Sequence, residues 1–176
     1  CLDPVRAAEV TLQPVHRFGM SGAILFSDIL IVPFGLGMEV SFREGEGPAL
    51  PAIGPGDPLP EFDPAAFADR TGPIMETVRL VKAGMPETTT LIGFAGAPWT
   101  VATYMVEGGS SREFSRTKRW AFGQPGRFDA LIARIVEATI AYLRAQADAG
   151  AEALQLFDSW AGALPPAGFE RWSIDP

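Results

Sequence analysis

Five side chains near the ends of predicted strands could bind or act on a small molecule. They are one carboxylate, two hydroxyls and two aromatic rings: Asp28, Tyr104, Ser159, Phe94 and Phe157. Asp28 interrupts the apolar run of residues 23–32, which is too short to cross a membrane and predicts a strand buried on both faces. A buried carboxylate needs nearby donors or a cationic ligand, because it loses its hydration. Asp28 therefore either caps the next turn or lies at the mouth of a parallel sheet, where α/β folds bind ligands.

The other four side chains each have a structural alternative as well. Tyr104 can be a core aromatic residue with its hydroxyl at the rim, and Ser159 can be a turn residue. Phe94 and Phe157 lie on predicted strands, where phenylalanine more often belongs to the core than to a pocket. The residues alone thus indicate a small-molecule site and leave its chemistry open.

Several kinds of site are excluded by the composition of these 176 residues. The sequence has no glycine-rich phosphate loop and no dinucleotide-binding fingerprint. One cysteine and one histidine cannot form a zinc site, so we expect no metal ligands here. A Ser-His-Asp triad would need His16 from the helix that precedes the first strand, which is the wrong side of the sheet.

Charge and hydropathy narrow the choice of partners and compartment. The net charge of −7 argues against a general nucleic-acid binder and against a protein of anionic membrane surfaces. No run of about 18 apolar residues occurs, and no charged segment followed by an apolar one opens the chain. The single cysteine, Cys1, fits a reducing compartment, so we predict a cytoplasmic protein.

Helices and strands alternate in the predicted secondary structure. The predicted helices cover residues 4–18, 64–81, 98–107, 110–122 and 127–149, and the predicted strands cover residues 23–31, 89–94 and 153–157. Residues 33–63 form a predicted long loop with a short strand at 38–42. This alternation is typical of a parallel α/β fold, with the carboxyl ends of its strands at one common edge.

The number of predicted strands indicates an incomplete barrel. Successive predicted strand ends are separated by about twice the roughly 31 residues that one strand-helix unit of an eight-stranded α/β barrel uses. The additional residues mainly follow the strands, on the side where barrels have their active sites. Three strands cannot close a barrel, and the chain begins with cysteine and stops just after a loop. We therefore expect residues 1–176 to form a single partial-barrel domain of a longer polypeptide.

Three long motifs carry a family resemblance. The segments ILFSDIL with VPFGLGMEVSF, LIGFAGAPWTVATYMVEGGSS and ALQLFDSWAG together resemble uroporphyrinogen decarboxylases. The resemblance implies an α/β chain that is part of a (β/α)8 TIM-type barrel, a homodimer, and no metal or organic cofactor. It also implies a carboxy-lyase of porphyrin and heme biosynthesis. Such an enzyme removes carboxyl groups from the acetate side chains of uroporphyrinogen III to give coproporphyrinogen III.

The resemblance also assigns roles to the five side chains. Asp28 matches the aspartate that contacts the pyrrole N–H groups of the substrate. Tyr104 and Ser159 match the tyrosine and the serine that contact substrate carboxylates or order groups near them, and Asp28 and Tyr104 are the expected catalytic residues. Phe94 and Phe157 match the aromatic lining of the cleft. The family's arginine-bearing N-terminal segment and its cleft histidine have no counterpart in these 176 residues.

Two other functions remain open at this point. One is a methyltransferase of the same barrel type that acts on a corrinoid or a thiol, although such proteins generally bind zinc through histidine and cysteine. The other is a non-catalytic fragment that binds porphyrin-like ligands. Equilibrium binding without turnover would favour the fragment.

Overall fold

The structure, a computed structural model, describes residues 2–43 and 47–176. Cys1 and three residues of the predicted 33–63 loop lie outside this part. The helices are α1 (Pro4–Phe18), α2 (Ile31–Gly35), α3 (Pro64–Gly84), α4 (Pro98–Glu107), α5 (Ser115–Gly123), α6 (Pro125–Ala149) and α7 (Pro166–Phe169). The strands are β1 (Gly22–Ile24), β2 (Ser41–Arg43), β3 (Gly47–Ala49), β4 (Thr90–Gly96) and β5 (Ala153–Phe157). A 3₁₀ turn (Ala161–Ala163) precedes α7 and a π-helical turn (Glu170–Ile174) follows it.

Aspartate, proline and glycine define the ends of the long helices. Asp3 caps α1 by accepting a hydrogen bond from the Arg6 N–H at 3.1 Å, and the helix ends at Gly19, whose φ of 61° is left-handed. Asp63 caps α3 in the same way, through the N–H groups of Ala65 and Ala66. These local signals are readable in the sequence, so the predicted positions of α1 and α3 are confirmed to within a few residues.

The main sheet has three parallel strands in the order β1-β4-β5. Ile24 lies beside Ile92, Ile92 lies beside Ala153, and Gly96 lies beside Phe157. The predicted order and direction of the three strands are therefore confirmed. A separate antiparallel pair, β2-β3, closes the loop after α2, and only its first strand was predicted, at slightly different residues.

The predicted first strand is wrong in its extent. β1 ends at Ile24, and Asp28 lies in a turn beyond it. The Asp28 carboxylate accepts a hydrogen bond from the Leu30 N–H at 2.7 Å, and the chain then enters α2 at Ile31. Apolar residues of this segment are thus buried as a helical turn, which a short apolar run does not distinguish from a strand.

Two other predicted boundaries also differ from the structure. Phe94 lies inside β4, two residues before its last residue Gly96, and not at the strand end. The helix predicted from Ser110 begins at Ser115, after a turn in which Ser111 Oγ accepts a hydrogen bond from the Phe114 N–H. Phe114 has a left-handed φ of 52°, which a helix does not tolerate, so α5 starts after it.

Helices cover one face of the three-stranded sheet. A Cβ atom at Gly93 would lie 2.6 Å from the Gln146 side chain of α6, so this residue points to the helical layer. Side chains alternate along a strand, so Phe94 points to the opposite face. Trp99, fully buried in the helical layer, packs against Phe128 and stacks on Trp172. In the described part of the chain, no helix is long and apolar enough to span a membrane.

Candidate active site

Asp28 uses one carboxylate oxygen for the structure and leaves the other free. Its Oδ1 accepts the Leu30 N–H, as a turn cap does, whereas Oδ2 has no hydrogen-bond partner among the described residues. The residue is partly buried at the carboxyl end of the sheet. The two alternatives left open by the sequence are therefore compatible: Asp28 caps a turn, and one of its oxygens remains available to a ligand.

Hydrogen bonds to α1 and α6 hold the turn that contains Asp28. The Thr11 hydroxyl of α1 accepts a hydrogen bond from the Phe26 N–H at 2.9 Å. On the other side, Ser27 Oγ lies 3.3 Å from the hydroxyl of Tyr142 in α6. Burial raises the pKa of the Tyr142 phenol, and the nearby negative charge of Asp28 raises it further, so the hydroxyl keeps its proton. A protonated phenol can donate to Ser27 and fix the turn.

The turn also packs against the end of β4. A Cβ atom at Gly96 would lie 3.1 Å from the Ile29 Cβ and 2.8 Å from a Val101 methyl group. Ile29 follows Asp28 directly, so glycine at position 96 lets the Asp28 turn approach the strand that carries Phe94. This close contact brings Asp28 to the carboxyl end of β4.

The rings of Phe94 and Phe157, the two predicted walls of the cleft, lie against each other. Their rings pack edge to face, with centroids 5.6 Å apart, on the sheet face opposite the helices. Phe94 is 8% exposed and Phe157 is 36% exposed. The pair forms an apolar surface that is partly open.

Tyr104 and Ser159 are brought near each other through Trp160. Tyr104 lies in the last turn of α4, is 8% exposed, and its ring centroid is 6.4 Å from that of Trp160. Its hydroxyl has no hydrogen-bond partner among residues 2–43 and 47–176. Ser159 is exposed and directly precedes Trp160 in the turn after β5. No hydrogen bond joins Asp28 to Tyr104 or Ser159 in the described part of the chain.

Gln146 is a site-forming residue that the sequence reasoning missed. It is fully buried in α6, and its amide accepts a hydrogen bond from the Phe94 N–H and donates one to the Phe94 C=O, each at 3.0 Å. Ile92, two residues earlier, uses this side of β4 to pair with the chain leaving β1. The Gln146 amide thus makes the hydrogen bonds to Phe94 that the next residues of β1 would make if that strand continued. A signal existed, because position 146 continues the apolar stripe of α6 four residues after Tyr142.

Metal ligands do not cluster in the described part of the chain. Among those residues, no group of three histidine, cysteine, aspartate or glutamate side chains could hold one ion.

A comparison with protein families shows which family the chain is related to. The family model described as uroporphyrinogen decarboxylase (URO-D) matches residues 1–176. The chain belongs to the uroporphyrinogen decarboxylase family. The resemblance identified from the motifs is therefore confirmed.

Curated uroporphyrinogen decarboxylases match the chain along its whole length. The protein of Rhodospirillum rubrum is 52% identical over 176 residues, which are 100% of this chain and 51% of that protein. The protein of Granulibacter bethesdensis is 56% identical over 177 aligned residues, covering 98% of this chain and 51% of that protein. The chain thus spans about half the length of the uroporphyrinogen decarboxylases that it matches.

A solved structure shares the fold. A methyltransferase from Methanosarcina mazei matches 98% of this chain and 51% of its own length, with a TM-score of 0.80 and 19% sequence identity. At this identity the likeness shows the fold alone. With the parallel strand order, it confirms the predicted fold: an α/β chain that is part of a (β/α)8 barrel.

Proposed function

We propose that the protein carrying this chain converts uroporphyrinogen III to coproporphyrinogen III by removing carboxyl groups from the acetate side chains. The observation that carries the proposal is the free Asp28 oxygen at the sheet edge, in a chain of the uroporphyrinogen decarboxylase family. The products are coproporphyrinogen III, in which a methyl group stands in place of each acetate side chain, and carbon dioxide.

The chemistry needs a negative charge at this place. When an acetate arm loses carbon dioxide, the electrons of the broken C–C bond need an acceptor. A pyrrole ring protonated on carbon is an iminium-like cation that takes up these electrons. The former acetate carbon is then protonated to a methyl group, and the ring carbon loses its added proton, which restores the pyrrole. A fixed carboxylate that accepts the pyrrole N–H bonds stabilises this cation as its charge develops, in a site shielded from water. Asp28 has this role in our proposal.

The remaining predicted residues bind and enclose the substrate in this proposal. The hydroxyls of Tyr104 and Ser159 contact substrate carboxylates, and Tyr104 assists catalysis. Phe94 and Phe157 face the apolar ring system and exclude water, which is supported by their contact on the open face of the sheet. The reaction requires no metal and no organic cofactor.

The assembly and compartment are part of the same proposal. We infer a cytoplasmic homodimer, with residues 1–176 as one partial-barrel domain in each subunit. Family membership supports the dimer, and the single cysteine supports a reducing compartment.

The test is turnover of uroporphyrinogen III by the full-length protein under anaerobic conditions. Formation of coproporphyrinogen with release of one carbon dioxide for each acetate arm is the expected result. Saturable binding of the porphyrinogen without product would show a binding protein, and methyl transfer from a methylated corrinoid would show a methyltransferase. Either outcome contradicts the proposal.

A further inference from the structure

A chain of hydrogen bonds joins the end of β5 to the first turn of α4. The Thr100 hydroxyl donates to Asp158 Oδ1 at 2.6 Å, and the same oxygen atom of Thr100 accepts a hydrogen bond from the Trp160 N–H at 3.1 Å. Ser173 donates to the second Asp158 oxygen at 2.5 Å. Trp99 donates its indole N–H to the Trp160 C=O at 3.0 Å. The turn that contains Ser159 is therefore bonded on both sides of that residue.

We propose that Thr100 and Asp158 are positioning residues that fix Ser159 and Tyr104 relative to each other. The inference rests on the proposed function, which places these two hydroxyls at substrate carboxylates. Neither Thr100 nor Asp158 needs to touch the substrate for this role.

The directions of the hydrogen bonds support a specific arrangement. A hydroxyl has one proton, and Thr100 gives it to Asp158, so its lone pairs are free for the Trp160 N–H. Thr100 is fully buried, so losing its hydroxyl leaves an Asp158 oxygen and a backbone N–H without their partner. A small network of this kind holds one geometry, because each partner depends on the next.

The same network reaches Tyr104. Tyr104 follows Thr100 by four residues, so both lie on the same face of α4. Hydrogen bonds from Trp99 and to Thr100 hold the backbone of Trp160. The Trp160 ring packs against the Tyr104 ring, and its centroid lies 5.4 Å from that of the Phe114 ring. Ser159 follows β5 and Tyr104 lies in α4, so two predicted substrate contacts from different elements depend on the buried Thr100 hydroxyl.

The experiment compares Thr100→Val with Thr100→Ser in the full-length protein. Valine keeps the size and loses the hydroxyl, whereas serine keeps the hydroxyl. We expect Thr100→Val to raise the KM for uroporphyrinogen about tenfold, the effect of about one weakened hydrogen bond between the substrate carboxylates and the displaced hydroxyls of Ser159 and Tyr104. Thr100→Ser should restore the KM to near the wild-type value. Thr77→Val is the matched control, since Thr77 is equally buried and, among the described residues, its hydroxyl bonds only the Pro73 C=O within α3.

A second measurement does not depend on activity. Amide hydrogen exchange should show that the Trp160 N–H loses protection in Thr100→Val and keeps it in Thr100→Ser, while the amides of β4 stay protected in both. An unchanged Trp160 amide or an unchanged KM in Thr100→Val overturns the inference, as does an equal rise of KM in Thr77→Val. If the wild-type protein forms no coproporphyrinogen, the proposed function fails, and the exchange data alone then decide whether Thr100 fixes the turn.

Discussion

The Asp28 carboxylate combines a structural contact and a free acceptor in one residue. One oxygen holds the Leu30 N–H, and the other has no partner among the described residues. The two roles differ in what they require. A turn cap requires an acceptor oxygen, which asparagine also offers, whereas stabilising a cation requires the negative charge. Replacing the charge without changing the shape therefore separates the two roles.

Asp28→Asn in the full-length protein is expected to keep the fold and lower the decarboxylation rate about a hundredfold, equivalent to about 3 kcal/mol of transition-state stabilisation. The amide oxygen can still accept the Leu30 N–H, so the melting temperature should change little. The measurement is anaerobic formation of coproporphyrinogen beside a melting curve. Asp63→Asn is the matched control, because it alters a helix-capping carboxylate outside the proposed site. Near-normal turnover in Asp28→Asn would leave this residue only its structural role.

Strand β4 is fixed to α6 by a close approach that only glycine permits. Gln146 can reach both backbone groups of Phe94 because Gly93 has no side chain in its way. A Cβ atom there would also lie 3.1 Å from Ala151 and Leu154. The glutamine cannot move aside without losing both hydrogen bonds, so the position of Phe94 in β4 depends on Gly93 and Gln146.

Gly93→Ala is therefore expected to lower the free energy of unfolding by about 1–3 kcal/mol, the usual cost of overpacking. Gly22→Ala is the control, since a Cβ atom in β1 would meet its nearest neighbour at 3.5 Å, an ordinary contact. Urea unfolding of both variants gives the comparison. Equal stability of the two variants would show that the contact between α6 and β4 relaxes without cost.

The C-terminal segment is joined to α6 by an ion pair with a pH-dependent contribution. Arg171 donates to both Asp129 oxygens, at 2.6 and 3.2 Å, and the Trp172 indole N–H donates to one of them at 2.9 Å. The hydrogen bond from Arg171 is the main reason that the pKa of Asp129 is lowered. A carboxyl group with a lowered pKa in the folded state stabilises the fold above its unfolded pKa, and this contribution is lost as the pH falls through the folded value.

Wild-type protein should thus be more stable than Asp129→Asn at pH 7, and the difference should vanish as the pH drops below 3.8, the ordinary value for this carboxyl group. Urea unfolding from neutral to acidic pH measures the difference. Glu137→Gln, which removes an exposed pair with Arg134 within one helical turn, serves as the control and should have a smaller effect at pH 7. A difference between wild type and Asp129→Asn that is constant with pH would contradict this account.

The elements show which parts of the fold can be read from sequence. α1, α3, α4, α6 and β5 were predicted closely, because caps, prolines and terminal glycines are local signals. The end of β1 was not predicted correctly. It depends on Gln146, more than a hundred residues away, whose side chain takes the place of the next residues of the strand. The β2-β3 pair likewise adjoins a distant segment through the bridge between Ala49 and Gly109. Non-local contacts of this kind leave little trace in a local pattern.

At the scale of the whole molecule, the sheet leaves large apolar side chains exposed. Leu154 and Leu156 in the outer strand β5 are 46% and 47% exposed, and Ile24 in the outer strand β1 is 52% exposed. The chain also spans about half the length of its curated relatives. Outer strands with unpaired backbone groups and apolar side chains favour association with another chain.

The 176-residue chain expressed by itself is therefore expected to self-associate at micromolar concentration, and sedimentation velocity is the measurement. Leu156→Lys should reduce the association, because a charge on an outer strand opposes the pairing of sheet edges. Val5→Lys is the control: this side chain is 69% exposed near the start of α1 and is not on a strand, so the same change there should leave association unaltered. A wild-type chain that sediments as one monomeric species and melts cooperatively would contradict the prediction. Equal effects of the two lysine variants would mean that net charge, and not the open strand, controls association.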